Sequence, residues 1–223
     1  SALKWELVIF DMDGTVLDTL ADLLLAMNHA LREHGLGERT LDQMRSYVGN
    51  GLYMMATRAV PAGTDEKTVD SVFRCFKAYY ADHLNVQTRP YEGICALMEK
   101  LKAAGAHIGI SSNKFDAGAN MLARTHFGSL VDITVGESDT VPKKPDPAGA
   151  DLIRARFGTF REKTVYVGDS GVDVETAKNA GLAFIGVSWG FRTSAQLAEA
   201  GAGTIADTPR QLEEMLLEGA SEA

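Results

Sequence analysis

Cysteine, clustered basic residues and long apolar runs are all scarce in this chain. Its 223 residues include two cysteines, Cys75 and Cys95, which lie far apart in the sequence without a Cys-x-x-Cys partner. This usage matches neither a disulfide framework nor a zinc-binding knuckle. We therefore expect both side chains to be buried free thiols.

The charge balance argues against one large class of partner. With 22 basic and 30 acidic residues, the formal net charge is −8, and no cluster of lysines and arginines offers the positive surface that nucleic acids require. No apolar run approaches the ~20 residues that span a bilayer, and the first residues lack the pattern of a signal peptide. We expect a soluble cytoplasmic protein, monomeric or homodimeric, whose partners include neither nucleic acid nor a membrane.

Short apolar runs alternate with segments of helical periodicity. Runs of strand length occur at 7–10, 107–110, 133–135, 164–167, 184–187 and, more weakly, 204–206. Helical patterns of crossover length occur at 91–104, 117–127, 147–157, 172–180 and 209–217. Buried strands joined by helical crossovers predict an α/β fold with a doubly wound, Rossmann-like parallel sheet.

One connection is too long for this alternation. A crossover needs about a dozen residues, whereas roughly ninety separate the first two strands. Residues 17–85 show helical periodicity, as in Leu20, Leu23 and Met27, and no convincing strand. We predict a helical cap at 17–85, inserted into an α/β core of residues 1–16 and 86–223. The cap should lie over the strand ends, where ligands bind in such sheets.

Two carboxylates leave the end of the first strand together. Asp11 and Asp13 directly follow the buried run, and Gly14 and Thr15 come next. Side chains two apart on a strand point the same way, and a glycine lets the chain turn close to a bound group. One such aspartate can accept a phosphoryl or acyl group while the other moves a proton. The alternative is an ordinary turn capped by an aspartate.

Polar residues also follow later strands. Ser112 and Asn113 come after the second strand and offer hydroxyl and amide donors for phosphoryl oxygens, although they equally suit a strand-to-helix turn. Of the adjacent Lys143 and Lys144, we choose Lys144, which precedes a proline, as a compact positive charge for a phosphoryl group. The alternative for this residue is a solvated lysine.

A second pair of carboxylates predicts a metal. Asp169 and Asp173 follow the fourth strand, although Asp173 also suits a helix cap. Crowding them beside Asp11 and Asp13 would cost on the order of 1 to 4 kcal/mol per close pair unless a cation neutralises them. Oxygen ligands without a histidine or cysteine cluster favour Mg²⁺.

Taken in order, these segments resemble the four motifs of the haloacid dehalogenase superfamily of phosphohydrolases over essentially the whole chain. The resemblance implies that Asp11 is the nucleophile and that Asp13 is the general acid and base. It also implies that Mg²⁺ is bound by Asp11, the Asp13 carbonyl and Asp169, and that Asp173 orients the metal shell. The family motifs make Lys144 a catalytic lysine.

The same resemblance extends to substrate binding. It assigns Ser112 and Asn113 to the substrate's phosphoryl group and makes Thr15 a further substrate-binding residue. A helical cap after the first motif, together with segments 47–52 and 186–190, is similar to the phosphoglycolate phosphatase branch of the family. Within the cap, Gly49 and Asn50 would then contact the substrate.

The activity expected from this resemblance is Mg²⁺-dependent hydrolysis of a small phosphorylated metabolite through an aspartyl-phosphate. Asp13 separates the chain from true dehalogenases, which lack the second acid, and residues 17–66 contain no lysine for Schiff-base chemistry. A pyrophosphatase or a broad sugar-phosphate phosphatase is the alternative within the family. A phospho-accepting signalling or metabolite-binding module is the alternative from another class, because such modules share clustered aspartates, a hydroxyl residue and a lysine.

Overall fold

The core of the protein is a six-stranded parallel sheet. The computed structural model describes residues 3–218. Its strands are β1 (Leu7–Phe10), β2 (Leu17–Asp18), β3 (Arg89–Pro90), β4 (His107–Phe115), β5 (Ile133–Glu137), β6 (Thr164–Gly168), β7 (Ala183–Val187) and β8 (Ile205–Ala206). The large sheet has the order β5-β4-β1-β6-β7-β8, and every neighbouring pair is parallel. The predicted doubly wound α/β fold is confirmed.

Helices connect these strands. They are α1 (Leu20–Glu33), α2 (Leu41–Tyr47), α3 (Leu52–Ala59), α4 (Glu66–Asp82), α5 (Ile94–Ala103), α6 (Asp116–Phe127), α7 (Ala148–Phe157), α8 (Gly171–Ala180), α9 (Ser194–Glu199) and α10 (Pro209–Leu216), with short 3-10 turns at Gly128–Leu130 and Arg161–Lys163. The short helix α9 was not anticipated from the sequence. No helix in the described part of the chain is both long and apolar enough to cross a bilayer.

The central strand β1 contributes to two apolar cores. Val8 and Phe10 pack in a cluster with residues of α5, α6 and α10, whereas Leu7 and Ile9 pack with residues of α7 and α8. All four side chains are fully buried. Because successive side chains of a strand point to opposite faces, a strand covered on both faces reads as a continuous apolar run.

Four helices, α1 to α4, lie between β2 and β3. Their buried residues recur at helical spacing, as Val69, Val72, Phe76 and Tyr80 do along α4. The expectation that segment 17–85 contains no strand is wrong for two residues, because Leu17–Asp18 pairs antiparallel with Arg89–Pro90. Two-residue strands carry no periodic signal. The ribbon joins the two chain segments that lead into and out of the helices.

The two cysteines are half-buried, not buried as predicted. Cys75 lies on α4 beside the buried stripe that includes Phe76, so its side chain lies at the edge of the core. Cys95 has the same position relative to Ile94 on α5. Partial burial raises the pKa of both thiols.

A buried carboxylate secures the return of the chain from these helices. Asp22 on α1 is 1% exposed. It accepts hydrogen bonds from the main-chain N–H groups of Val86 (3.1 Å), Gln87 (2.9 Å) and Thr88 (2.8 Å), and from the Thr88 hydroxyl (2.7 Å). The loop before β3 is therefore fixed to the start of α1.

Replacing Asp22 with alanine is expected to destabilise the protein by about 3 kcal/mol, because donors that are buried or half-buried lose their acceptor. Urea unfolding of Asp22→Ala measures this loss. The control is Asp82→Ala, whose side chain is exposed at the end of α4, and it should change stability by less than about 0.5 kcal/mol. An equally small change for Asp22→Ala would contradict the role of this carboxylate.

Candidate active site

The site lies where three neighbouring strands end. Phe10 at the end of β1 is in register with Ile110 on one side and Val167 on the other. Asp11 therefore emerges beside the polar end of β4 and beside Asp169, which follows β6. The ends of parallel strands at the centre of a doubly wound sheet are where ligands bind. A cavity at this edge is lined by residues of all four predicted motifs.

Lys144 is the positive centre of the site. Its buried Nζ donates to Asp11 Oδ1 (2.9 Å), the Ser111 carbonyl (2.9 Å) and the Tyr166 hydroxyl (2.9 Å), and it lies 3.0 Å from Asp173 Oδ1. The neighbouring Lys143 is exposed. The choice of Lys144 over Lys143 therefore agrees with the geometry.

Burial and mutual repulsion shift the titration of these groups. Burial raises the pKa of Asp11 well above its usual value, the negative charge of Asp173 raises it further, and Lys144 opposes both effects. Burial likewise raises the pKa of Asp169 to about 6, again with a contribution from Asp173. Burial alone would lower the pKa of Lys144, but Asp11 and Asp173 outweigh it, so that pKa is raised. The acids disfavour one another's charged forms.

The donor set fits a divalent cation that prefers oxygen. Asp11, Asp169 and Asp173 each offer a carboxylate oxygen, and these oxygens lie within 4.8 Å of one another. Lys144 contacts two of the three carboxylates, Asp11 and Asp173, so a dication would relieve the remaining repulsion. Carboxylate ligands suit Mg²⁺ better than softer metals.

Two of these carboxylates are held in place by neighbouring donors. Asp169 accepts from the Thr15 hydroxyl (3.0 Å) and the Phe191 N–H (3.1 Å). Asp173 Oδ2 accepts from the Asp169 N–H (3.1 Å) and the Ser170 hydroxyl (3.2 Å). The hydroxyl of Thr15, a residue predicted to bind substrate, thus donates its hydrogen bond to Asp169.

Asp13 has different partners from Asp11. Its Oδ1 accepts from the Thr19 hydroxyl at 2.5 Å and lies 3.3 Å from the Nζ of Lys114. Its carboxylate is therefore not part of the cluster formed by Asp11, Asp169 and Asp173, although all four residues line the cavity. Two carboxylates that are adjacent on one strand end thus occupy distinct environments.

The predicted phosphoryl-binding residues lie inside strand β4. Asn113 lines the cavity, accepts from the Lys144 N–H (2.7 Å), and donates to the carbonyls of Gly49 and Lys144 (3.2 Å each). The Ser112 hydroxyl is buried and accepts from the Lys114 N–H (3.0 Å). Asn113 thus connects the third-motif lysine to the inserted helical segment.

The two predicted substrate-binding residues of the cap, Gly49 and Asn50, have different surroundings. Gly49 lines the cavity. The Asn50 side chain accepts from Arg58 at 2.7 Å, and Arg58 also donates to the Tyr47 carbonyl. Arg58 therefore stabilises the turn that carries Gly49 and Asn50.

Three further residues of the site were missed in the sequence. Arg192 lines the cavity and donates to the carbonyls of Arg45 (3.0 Å) and Val48 (2.8 Å). Tyr166 bonds Lys144, and Lys114 faces Asp13. Tyr166 reads as a core residue of β6, and Lys114 reads as a helix-start residue. The signal available for Lys114 is its position directly after Ser112 and Asn113.

Two glycines allow the backbone to approach the acids closely. Gly14 has a positive φ of 83°, and a Cβ there would lie 2.2 Å from Asp169 Oδ2. A Cβ at Gly190 would lie 2.0 Å from the Gly14 carbonyl oxygen and 2.7 Å from the same carboxylate oxygen. The loop after β7 therefore packs directly on the loop after β1.

The chain is similar to known proteins in both sequence and structure. The family model of haloacid dehalogenase-like hydrolases matches residues 8–187. Phosphoglycolate phosphatases of Pseudomonas syringae pv. tomato and Pseudomonas fluorescens are 31% and 32% identical to this chain, over 93% and 97% of it and 78% and 82% of their own lengths. A crystal structure from Lactobacillus delbrueckii subsp. bulgaricus, provisionally assigned as a phosphoglycolate phosphatase, superposes with a TM-score of 0.93 at 34% identity, covering 97% of this chain and all of its own.

The chain belongs to the haloacid dehalogenase-like hydrolases. The family predicted from the four motifs is confirmed. These relatives also support the predicted enzyme class, a phosphatase.

Replacing Gly190 with alanine is expected to lower phosphatase activity by about 100-fold, because a new Cβ forces the loop away from Gly14 and Asp169 by more than an ångström. Phosphate release from p-nitrophenyl phosphate measures the loss. Gly203→Ala is the control, since a Cβ there meets nothing within 4 Å. Unchanged activity in Gly190→Ala would show that the close approach of the two loops is dispensable.

Proposed function

We propose that this protein is a Mg²⁺-dependent phosphomonoester hydrolase and that its substrate is 2-phosphoglycolate. The observation that carries the proposal is the separation of two adjacent carboxylates. Asp11 lies against Lys144 among the acids of the metal cluster, whereas Asp13 lies outside that cluster against Thr19 and Lys114. One carboxylate is placed to be a nucleophile and the other to carry a proton.

The first step breaks the ester. Asp11 Oδ1 already accepts from the Met12 N–H (2.8 Å) and from Lys144, which leaves Oδ2 to attack phosphorus. As the new P–O bond forms, the ester P–O bond breaks, and its electron pair leaves with the alkoxide oxygen. That oxygen takes a proton from Asp13, and Asp11 now carries the phosphoryl group.

The second step restores the enzyme. A water oxygen attacks phosphorus and gives its proton to Asp13, which is now a carboxylate. The bond between phosphorus and Asp11 breaks, so phosphate leaves and both aspartates return to their first states. On substrate binding, Lys144 and Asn113 would exchange some of their protein contacts for the equatorial oxygens of the phosphoryl group and offset the charge of those oxygens.

Asp11, the Asp13 carbonyl and Asp169 would hold Mg²⁺, and Asp173 would orient this shell. When bound, Mg²⁺ supplies Lewis-acid stabilisation of the charge on the transferring phosphoryl group. In the structure each Asp173 oxygen accepts from two protein donors, including the Lys144 ammonium, whereas each Asp169 oxygen accepts from one. This difference favours an orienting role for Asp173 and a direct one for Asp169.

Phosphoglycolate is favoured by two observations. The relatives described above are named for it. Arg192 also lines the cavity, and three of the five N–H donors of its guanidinium are used by main-chain carbonyls. The remaining donors suit a second anionic group on a small substrate, such as the carboxylate of phosphoglycolate.

The roles of Thr15, Ser112, Gly49 and Asn50 in substrate binding belong to this proposal, as does the division into a core and a cap at 17–85. So do a cytoplasmic location and a monomeric or homodimeric state. A pyrophosphatase or a sugar-phosphate phosphatase would use the same core chemistry with a differently lined cap. Size-exclusion chromatography with light scattering tests the oligomeric state.

A substrate panel tests the proposed function. Phosphate release is measured from 2-phosphoglycolate, pyrophosphate, sugar phosphates and nucleotides, with Mg²⁺ or with chelator. We expect kcat/KM for 2-phosphoglycolate to exceed the other values by about 100-fold or more, and we expect chelator to abolish turnover. A flat, metal-dependent profile would contradict the substrate, and no turnover on any ester would favour the signalling or binding module.

Asp11→Asn is expected to reduce kcat on the order of 10³-fold or more, because the amide cannot form the acyl phosphate. Burst kinetics and mass spectrometry of the wild-type protein, quenched in acid during turnover, should show a phosphorylated Asp11 that the variant lacks. Asp139→Asn, a change at an exposed position, is the control. Substantial activity in Asp11→Asn would rule out covalent catalysis at this residue.

Asn50→Ala is expected to change the ratio of kcat/KM values between 2-phosphoglycolate and p-nitrophenyl phosphate by about tenfold, because loss of the bond to Arg58 frees the turn at the cavity. Thr57→Ala, at an exposed position of α3, should leave the ratio unchanged. Equal losses on both esters would place Asn50 outside substrate selection.

A further inference from the structure

Lys114 is a buried cation that the mechanism above does not use. It lies near the end of β4, and its side chain is 1% exposed. A buried ammonium is costly unless it is paired and hydrogen-bonded. Its Nζ donates to the Tyr80 hydroxyl at 2.5 Å, lies 3.3 Å from Asp13 Oδ1, and lies 4.4 Å from the centroid of the Tyr80 ring.

The Asp13 carboxylate is held from two sides. The Thr19 hydroxyl, just before α1, and Lys114, at the end of β4, both contact Oδ1. With one oxygen fixed by two donors, rotation of the carboxylate is restricted, and Oδ2 is left for proton transfer. Without the charged contact, Oδ1 would keep the Thr19 hydroxyl as a donor, and the carboxylate would be less restricted.

Tyr80 holds Lys114 from the inserted helices. It belongs to α4 and is fully buried. Its hydroxyl accepts from the ammonium, and its ring face lies within cation–π distance. Helix α4 is therefore connected to Asp13 through Lys114, which contacts both Tyr80 and Asp13.

We propose that Lys114 is a positioning residue that fixes the Asp13 carboxylate for proton transfer to the leaving oxygen, and that Tyr80 fixes Lys114 from α4. This inference rests on the proposed phosphatase mechanism. In the step concerned, the O–H bond of Asp13 breaks and an O–H bond to the departing alkoxide forms, while Lys114 keeps all its protons. Its Nζ contacts both Asp13 and Tyr80, and its side chain is 1% exposed, so it is placed to orient Asp13.

The test compares leaving groups. An alkyl phosphate needs the Asp13 proton when its ester bond breaks, whereas p-nitrophenolate departs as an anion. The ratio kcat/KM includes only the steps through this bond cleavage, so it separates them from the later hydrolysis of the aspartyl-phosphate. We expect Lys114→Met to lower kcat/KM about 100-fold for the alkyl ester and less than about fivefold for p-nitrophenyl phosphate.

Tyr80→Phe provides a second variant that keeps the packing of the ring. It should lower kcat/KM for the alkyl ester about tenfold, again with little change for p-nitrophenyl phosphate. This variant decides the question if Lys114→Met fails to fold. The matched controls are Tyr79→Phe, one residue away on α4, and Lys67→Met, at an exposed position on the same helix; both should leave the two values unchanged.

Other outcomes would overturn the inference. Equal losses for both esters would mean that Lys114 has a general structural role. A loss confined to KM would mean that Lys114 binds the substrate directly. If the wild-type protein hydrolyses a different alkyl phosphate but not 2-phosphoglycolate, the substrate proposal fails, and the comparison proceeds with that ester; if it hydrolyses no ester, both proposals fail.

Discussion

The site depends on one ammonium group, the Nζ of Lys144. Its four partners come from the end of β1, from β4, from β6 and from α8. A buried amine is tolerated only beside compensating charge, and buried carboxylates repel one another without a cation. The ammonium group therefore makes the burial of the carboxylates tolerable, and the carboxylates make the burial of the ammonium group tolerable. Residues 133 positions apart in the chain, Asp11 and Lys144, are thereby held together at the sheet edge.

The environment, and not the residue type, separates the two aspartates of the first motif. Asp11 shares its surroundings with two other acids and one lysine, and its pKa is raised by burial. Asp13, two residues later, pairs with Thr19 and Lys114. The two residues are close in the sequence, but their side chains contact different parts of the molecule. The distinct roles proposed for these two identical side chains rest on this difference in placement.

The sequence was informative wherever a pattern repeated or a motif followed a strand. The strands of the large sheet have buried apolar sequences, and Asp11, Asn113, Lys144 and Asp169 come together because each lies beyond or near the end of a strand in that sheet. The β2–β3 ribbon could not be predicted, because two-residue strands have no period.

The contacts between the inserted helices and the core could not be predicted from the sequence either. Tyr80 reads as one more apolar position of α4, and its bond to Lys114 depends on how two distant elements pack. Arg192 reads as an ordinary loop arginine, and Cys75 lies one position away from the buried stripe of α4. Such contacts are properties of tertiary packing, which periodicity does not encode.

Phe191 and Arg192 are neighbours in one loop but bind different parts of the molecule. The N–H of Phe191 is bonded to Asp169, while the side chain of Arg192 is bonded to the carbonyls of Arg45 and Val48. Two successive residues thus connect the acidic cluster with the turn that carries Gly49. Because the two residues are neighbours, the position of the turn and the position of the backbone that holds Asp169 are linked through the loop after β7.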